Sequence, residues 1–411
     1  MLRFSTAGES HGEALVAVLS GVPAGLKIDS AFIDRELWRR QQGYGRGGRM
    51  KIESDRAHIL SGIRNGATIG SPIALTIENR DWKNWQEALP VGAGDPEKHK
   101  AVNSPRPGHA DLAGALKYNF PEARYVLERA SARESAARVA AGAIAKLLLG
   151  AFGVEVLSHV LAVGSAAVRD PEISWDKIQA LCAREEVLLN CADPEAEERM
   201  KAEVDNALKT GDSVGGVFEV VAHGVPPGLG TYANWDERLD ALLAAAVMSL
   251  QAVKAVKIGS GVGAAASPGS AVHDAIGYER HPTSPTPGEA GTPHRAQGDG
   301  RGGYTGFARR TNHAGGVEGG ISNGEDILVR GYLKPISTLR RPLESVDFRS
   351  REPVKAAYER SDVAVVPAAG VGGEAMVALT LARCALEKFG GDSMGETLRN
   401  FEGYKKQLKD Y

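Results

Sequence analysis

Apolar positions along the chain fall into two periods. Short apolar or alternating runs predict strands at residues 2–7, 14–21, 154–165, 214–222 and 327–333. Helical spacing predicts helices at 30–42, 132–152, 194–209, 234–257 and 373–389. The 194–209 segment is dense in charge and reads as an exposed helix. The 132–152, 234–257 and 373–389 segments are alanine-rich and apolar on more than one side, so they belong inside. Asn65-Gly66 and Asn323-Gly324 read as hairpin tips, because both residue types tolerate the positive φ of a two-residue turn. Hairpins mean antiparallel pairing. Antiparallel sheets around long buried helices predict an α+β fold, a β-α-β sandwich forming one unit over residues 1–411.

The pattern also repeats. GESHGEALVAVLSGVPAGL at 8–26 aligns without a gap on GDSVGGVFEVVAHGVPPGL at 211–229. Gly8, Ser10, Gly12, Val18, Gly21, Val22, Pro23, Gly25 and Leu26 all have identical partners. Each copy reads as a glycine-serine turn, a strand, a Gly-Val-Pro turn and a helix. The repeat predicts a duplicated unit, with halves of roughly 1–205 and 206–411 related by a pseudo-twofold axis.

GESHG also fits the G-x-S-x-G elbow of serine hydrolases. The repeat argues against a nucleophile. Serine recurs in both copies, which makes a turn role sufficient for Ser10. Histidine does not recur: His11 stands opposite Val214. His11 is therefore the better candidate for chemistry. An elbow also follows several strands, and only 2–7 precedes this one.

Composition narrows the class. A net charge of −2 and a pI of about 6.6 leave no global positive field for nucleic acid or an anionic membrane. Three scattered cysteines, Cys182, Cys191 and Cys384, fit a reducing compartment rather than a disulfide frame. Residues 1–12 lack the basic start and apolar centre of a signal peptide. The longest apolar region, 144–168, is broken by Lys146, Glu155 and His159, so it predicts no membrane span. The expectation is a cytoplasmic enzyme.

Several short stretches carry chemistry. GYGRGG at 43–48 and GDGRGG at 298–303 match G-x-G-x-x-G, but neither joins a strand to a helix, so neither predicts a dinucleotide site. Arg39, Arg40, Arg46 and Arg49 cluster around the first, and guanidinium forks suit phosphate and carboxylate. SPRPGHAD at 104–111 is a proline-stiffened loop presenting Arg106 and His109. His109-x-Asp111 has no further ligands at recognisable spacing, so no metal site is expected. RASARES at 129–135 reads as a helix start, with Ser131 and Glu134 as a capping box between Arg129 and Arg133. Lys334, Ser337 and Thr338 in KPISTLRR could hold a phosphate, and the paired glycines of TNHAGGVEGGISNG at 311–324 let backbone approach a flat ligand. The long segment 281–304 reads as a loop, with a lid as one role for it.

Taken in order, GESHG, RRQQGYGRGGRM, RPGHADL, RASARESAARVAAG, GDSVGG, MSLQAVKAVKIG, TNHAGGVEGGISNG, KPIST and ERSD resemble the chorismate synthase family over nearly the whole chain. The resemblance implies a β-α-β sandwich assembling as a homotetramer. It implies a lyase that converts 5-enolpyruvylshikimate 3-phosphate to chorismate and phosphate by 1,4-anti elimination, using reduced FMN with no net redox change. NADPH is a possible reductant. By the same resemblance His11 and His109 are acids, Asp362 assists proton removal, and Ser10 and Ser131 assist. Arg40, Arg46, Arg49, Arg106 and Arg133 clamp substrate. Arg129, Ala130, Ser131, Gln251, Ala252, Gly319, Lys334, Pro335, Ile336, Ser337, Thr338 and Arg360 contact FMN. A competing class is an FMN-binding electron carrier, which would need neither the dense arginine set nor two histidines.

Overall fold

Two antiparallel sheets enclose the long apolar helices. The structure, a computed structural model, describes residues 1–47, 54–278, 304–359 and 362–411. The first sheet runs, in spatial order, Arg3–Ala7, Ala14–Ser20, Ile73–Glu78 and His58–Ile59. The second runs Val253–Ile258, Ile327–Leu333, Gly216–His223, Glu155–Val163 and Ala166–Ala167. Alternation decides which face of the first sheet is buried. Leu15, Ala17 and Leu19 point inward, directly opposite Ile77, Leu75 and Ile73. Each fully buried side chain of this size contributes about 1.5–3 kcal/mol.

Helices Ser135–Gly150 and Val366–Phe389 fill the space between the sheets. They touch closely because position 142 has no side chain: a Cβ on Gly142 would lie 2.4 Å from that of Ala375. The second helix is long and apolar enough to cross a membrane, yet 78% of its most apolar stretch is buried inside the protein. It begins seven residues before the 373–389 expectation, with Pro367 in its first turn. Gly370 and Gly373 disguised that start. They are there for packing, since added Cβ atoms would meet Ser158 and Phe218 at 2.8 and 2.6 Å.

Two expectations need correction. The 234–257 segment is not one helix. It holds a single 3-10 turn at Trp235–Glu237, a helix at Leu239–Met248 and an edge strand at Val253–Ile258. Ala252 at φ +68 breaks the path, and the β-branched residues after it pair with Ile327–Leu333. Asn323-Gly324 is not a hairpin tip either. The hairpin there pairs Val317–Glu318 with Ile321–Ser322 across Gly319 and Gly320, at φ +59 and +90. Asn65-Gly66 does form the expected tip, between Ile63–Arg64 and Ala67–Thr68.

The repeated stretches share backbone features at the offset seen in the sequence. Gly8 and Gly211 take φ +100 and +74, Gly21 and Gly224 +83 and +76, and Gly25 and Gly228 +88 and +96. Each turn leads into an inner strand of a sheet, Ala14–Ser20 or Gly216–His223. Because the first turn joins two antiparallel strands, Ser10 does not sit on the strand-to-helix elbow of a hydrolase.

Candidate active site

Four separated segments meet around a cleft of about 720 Å³. They are the turn at 8–12, the proline-stiffened loop at 104–110, the helix junction at 130–133 and the strand exit at 334–338. The cleft's size lies in the range typical of small-molecule sites. Ser10, His11, Arg40, Arg46, Arg106, His109, Ala130, Ser131, Arg133, Gln251, Ala252, Lys334, Ile336, Ser337, Thr338 and Asp362 all line it. Six cations (Arg40, Arg46, Lys100, Arg106, Arg133 and Lys334) face three lining carboxylates (Asp81, Glu359 and Asp362). A protein of net charge −2 thus concentrates positive charge here, where a poorly solvated anion gains most from it.

Each histidine is held by a buried carboxylate. His11 Nδ1 lies 2.9 Å from Glu128 Oε1, and the His11 backbone N–H donates to Glu128 Oε2 at 2.7 Å. The ring stacks on Trp85 with centroids 4.0 Å apart. Arg124 reaches Glu128 at 3.3 Å and Glu359 at 2.9 Å. Burial alone would raise the Glu128 carboxyl, but the bonds from His11 and the charge of Arg124 hold it below the usual range. His109 Nδ1 lies 2.5 Å from Asp111 Oδ1. Arg106 donates to Asp111 through its backbone N–H, Nε and Nη2, at 3.0, 2.8 and 3.1 Å, and through Nη1 to Thr338 at 2.8 Å. Burial would raise Asp111 too, and the bonds from His109 and Arg106 outweigh it. An ionised carboxylate accepts only. The Glu128 contact therefore calls for a proton on His11 Nδ1, while His109 Nδ1 faces both the Asp111 carboxylate and, at 3.0 Å, the Arg106 Nη2 donor.

The arginines converge through one acid. Arg40 Nη2 and Arg133 Nη1 bind Asp55 at 2.9 and 2.6 Å. Burial lowers the Arg40 pKa, opposed by Asp55 and assisted by the charges of Arg133 and Arg46. Arg40 Nε is buried without a hydrogen-bond partner among the described residues. Arg46 pairs with Asp362 at 2.9 Å, and Asp362 Oδ1 also accepts the Gly47 N–H at 2.6 Å. Arg39, grouped with these in sequence, leaves the cleft entirely. Neighbours on a helix point about 100° apart, and Arg39 turns into the core against Glu36 and Glu374 at 2.8 and 2.7 Å.

Ser131 sits between two helices rather than at the start of one. It ends Arg124–Ala130 and caps the short turn Ala132–Glu134, accepting the Arg133 N–H at 3.3 Å. The reciprocal half of the expected capping box is absent, because Glu134 binds Thr6 and Arg138 instead. Lys334 Nζ donates to Gly108 C=O and Ser337 Oγ at 2.7 and 2.9 Å. Burial, then the nearby charge of Lys254, lowers its pKa, as befits a cation whose counter-charge comes with a ligand. Among the remaining expected FMN contacts, Arg129 braces the first turn by donating to Thr6 and Gly8 carbonyls at 2.9 and 3.1 Å. Pro335 and Gly319, the latter at its hairpin tip, are not among the residues that line the cleft. Arg49, Arg360 and residues 281–303 lie outside the described residues.

Sequence reasoning missed Asp55, Asp81, Asn84, Trp85, Lys100, Glu128 and Glu359. One signal was available. RDWKNWQ at 80–86 places two tryptophans in a chain only 6% aromatic, and Trp85 is the one that stacks on His11. The carboxylates gave no such signal, since their partners lie far along the chain.

Fold and cleft together define a class: an α+β protein whose site is built for a small molecule with several negative charges. The chain belongs to the chorismate synthase family. The family model described as chorismate synthase matches residues 2–386. A chorismate synthase of Koribacter versatilis is 70% identical over 411 residues, covering 100% of both chains. One of Acidobacterium capsulatum is 66% identical over the same span. A solved structure titled as the crystal structure of chorismate synthase has a TM-score of 0.75 at 40% identity, covering 100% of this chain and 99% of its own. Membership implies conversion of 5-enolpyruvylshikimate 3-phosphate to chorismate, a lyase step of the shikimate pathway in aromatic amino acid biosynthesis.

Proposed function

We propose that this protein eliminates phosphate from 5-enolpyruvylshikimate 3-phosphate in the 1,4-anti sense, with reduced FMN bound in the same cleft. The observation that carries the reading is two carboxylate-held histidines lining one cation-rich cleft. The substrate bears two carboxylates and a phosphate. Each charge-assisted hydrogen bond to them nets about 1.5–3 kcal/mol, so several arginines are needed to replace the lost hydration. Arg40, Arg46, Arg49, Arg106 and Arg133 supply those bonds and stabilise the departing phosphate. His11 and His109 exchange protons through Nε2, since Nδ1 is committed in each ring. Asp362, held by Arg46 and the Gly47 N–H, is the carboxylate on the proton-accepting side. Ser10 and Ser131 add hydrogen bonds and form no covalent adduct.

The donor set at Lys334–Thr338, with Ser131, Gln251 and Ala252, fits an FMN phosphate and isoalloxazine edge; Lys334 is a half-buried cation with no carboxylate partner among the described residues, a charge that a phosphate would neutralise. Reduced FMN held by these residues would supply electron density for the departure of phosphate, with no net change of redox state. NADPH serves only to reduce the flavin. The enzyme works in the cytoplasm as a homotetramer, and the exposed Trp235, Tyr232 and Leu116 are candidates for its subunit contacts. The two halves are related by a pseudo-twofold rotation.

An anaerobic assay with photoreduced FMN tests the reading. Chorismate and phosphate should form in equal amounts, and NADPH should not be consumed in proportion. Oxidised FMN should bind without turnover. Steady chorismate formation in air with oxidised FMN and no reductant would refute the mechanism.

A further inference from the structure

The repeat contains its own control for the role of Glu128. In the second turn the N–H of Val214, the counterpart of His11, donates to the backbone carbonyl of Val363 at 3.0 Å. A main-chain acceptor is thus enough to hold this turn. In the first turn the same N–H, that of His11, is taken instead by a carboxylate, Glu128 Oε2, at 2.7 Å. That carboxylate also takes the ring through Nδ1, at 2.9 Å. The Glu128 backbone carbonyl accepts the Ser10 N–H at 2.9 Å. One residue therefore clamps the Ser10-His11 pair at three points. It is 2% exposed, and Arg124 fixes it from behind. Trp85 closes one face of the ring, so rotation about the imidazole's Cβ–Cγ bond would break both the stack and the bond.

We propose that Glu128 is a positioning residue for the elimination, holding His11 as the Nδ1–H tautomer so that Nε2 is the atom exchanging a proton with the bound phosphate ester. This rests on the role given to His11 under the proposed function. A carboxylate with no proton to give forces the tautomer. Nothing in the turn itself requires a carboxylate, as the Val214 copy shows. The acid was placed for the ring.

The test has two arms that fail separately. In protein labelled with 15N-histidine, the His11 signals are assigned by their loss in His11→Gln. Above the pH at which the ring becomes neutral, they should show a protonated Nδ1 and an unprotonated Nε2. The reverse pattern in the wild-type protein would overturn the proposal whether or not any variant folds. In the second arm, Glu128→Gln should lower kcat by at least about 10-fold, as loss of a correctly held acid-base group does. KM for the substrate should move much less, and the 15N pattern should become mixed. In a His11→Gln background the same change should have no further effect on kcat. Wild-type kcat in Glu128→Gln beside an impaired His11→Gln overturns the positioning role and leaves the function standing. Wild-type kcat in His11→Gln removes His11 from the reaction and with it this role of Glu128.

Discussion

The two turns of the sequence repeat solve one backbone problem and then part company. Both use a positive-φ glycine to enter and a serine at the third position, and both pack against a segment that lines the cleft. The first turn rests on residues 128–129, through the bonds Glu128 makes to Ser10 and His11 and the donation of Arg129 to Gly8. The second rests on residues 333–336. There Ser213 Oγ donates to the Ile336 carbonyl at 2.7 Å, and Gly215 approaches so closely that a Cβ would lie 2.2 Å from Leu333 O. One copy puts a histidine into the cleft, while the other holds the strand exit bearing Lys334, Ser337 and Thr338. Two turns of like backbone are braced by different bonds, and within the five-residue turn histidine in one and valine in the other is the main chemical difference.

That difference can be broken from the strong end. His11→Ala should lower turnover by about 10–10⁴-fold, with folding intact by circular dichroism, whereas Val214→Ala should leave kcat within a factor of a few. Equal losses from both would erase the distinction between the turns. Entry glycines come next. Gly8→Ala meets Ala14 O at 2.4 Å at a φ of +100, while Gly211→Ala meets Arg341 N at 3.3 Å. Both pay for positive φ, about 1 kcal/mol or more, and Gly8→Ala adds a backbone clash. Thermal melts should rank Gly8→Ala clearly below Gly211→Ala.

The serines sharpen the comparison further. Ser10→Ala should reduce kcat by roughly 10-fold or more, the scale of one hydrogen bond to a charged group, with melting temperature little changed. Ser213→Ala should act the other way round. It should lose about 1 kcal/mol of stability and weaken FMN binding, with kcat at saturating flavin near wild type. A seryl adduct at Ser10 in mass spectra of turning-over enzyme would reverse its assignment.

Acid gives the smallest contrast. Glu128, Asp111 and Asp55 are all held below their ordinary values, in each case because bonds or charges from His or Arg outweigh burial. Glu36, in the core against Lys146 and Arg39, is lowered to about 2 in the same way. A depressed carboxylate stabilises the fold above its unfolded pKa, near 4, and loses that contribution as pH falls through its folded value. Melting temperature should hold steady from pH 7 to about 5 and then fall toward pH 2–3. Glu36→Gln, which surrenders this contribution at neutral pH, should show a flatter acid limb.

Much of the fold was legible because it is written in near neighbours. The Ile327–Leu333 strand coincides with its expected bounds, and the Asn65-Gly66 tip follows from two residues that accept positive φ. The helix start at Val366 was hidden because its glycines serve contacts with Ser158 and Phe218, which no local pattern reveals. The break at Ala252 was hidden because sheet pairing with a strand some eighty residues away overrode a helical composition.

The sequence by itself determined the periodicities, the internal repeat of 8–26 at 211–229, the family and the cast of histidines and arginines. These depend on spacing along the chain and on motif identity, both of which survive without coordinates. Tertiary structure alone decided that Arg40 enters the cleft while Arg39 turns into the core, that Asp55 joins Arg40 to Arg133, and that Glu128 and Asp111 fix two imidazole rings. Charge partnership is a matter of a few ångströms, and residues as distant as His11 and Glu128 come within that range only after the sheets have closed over the helices.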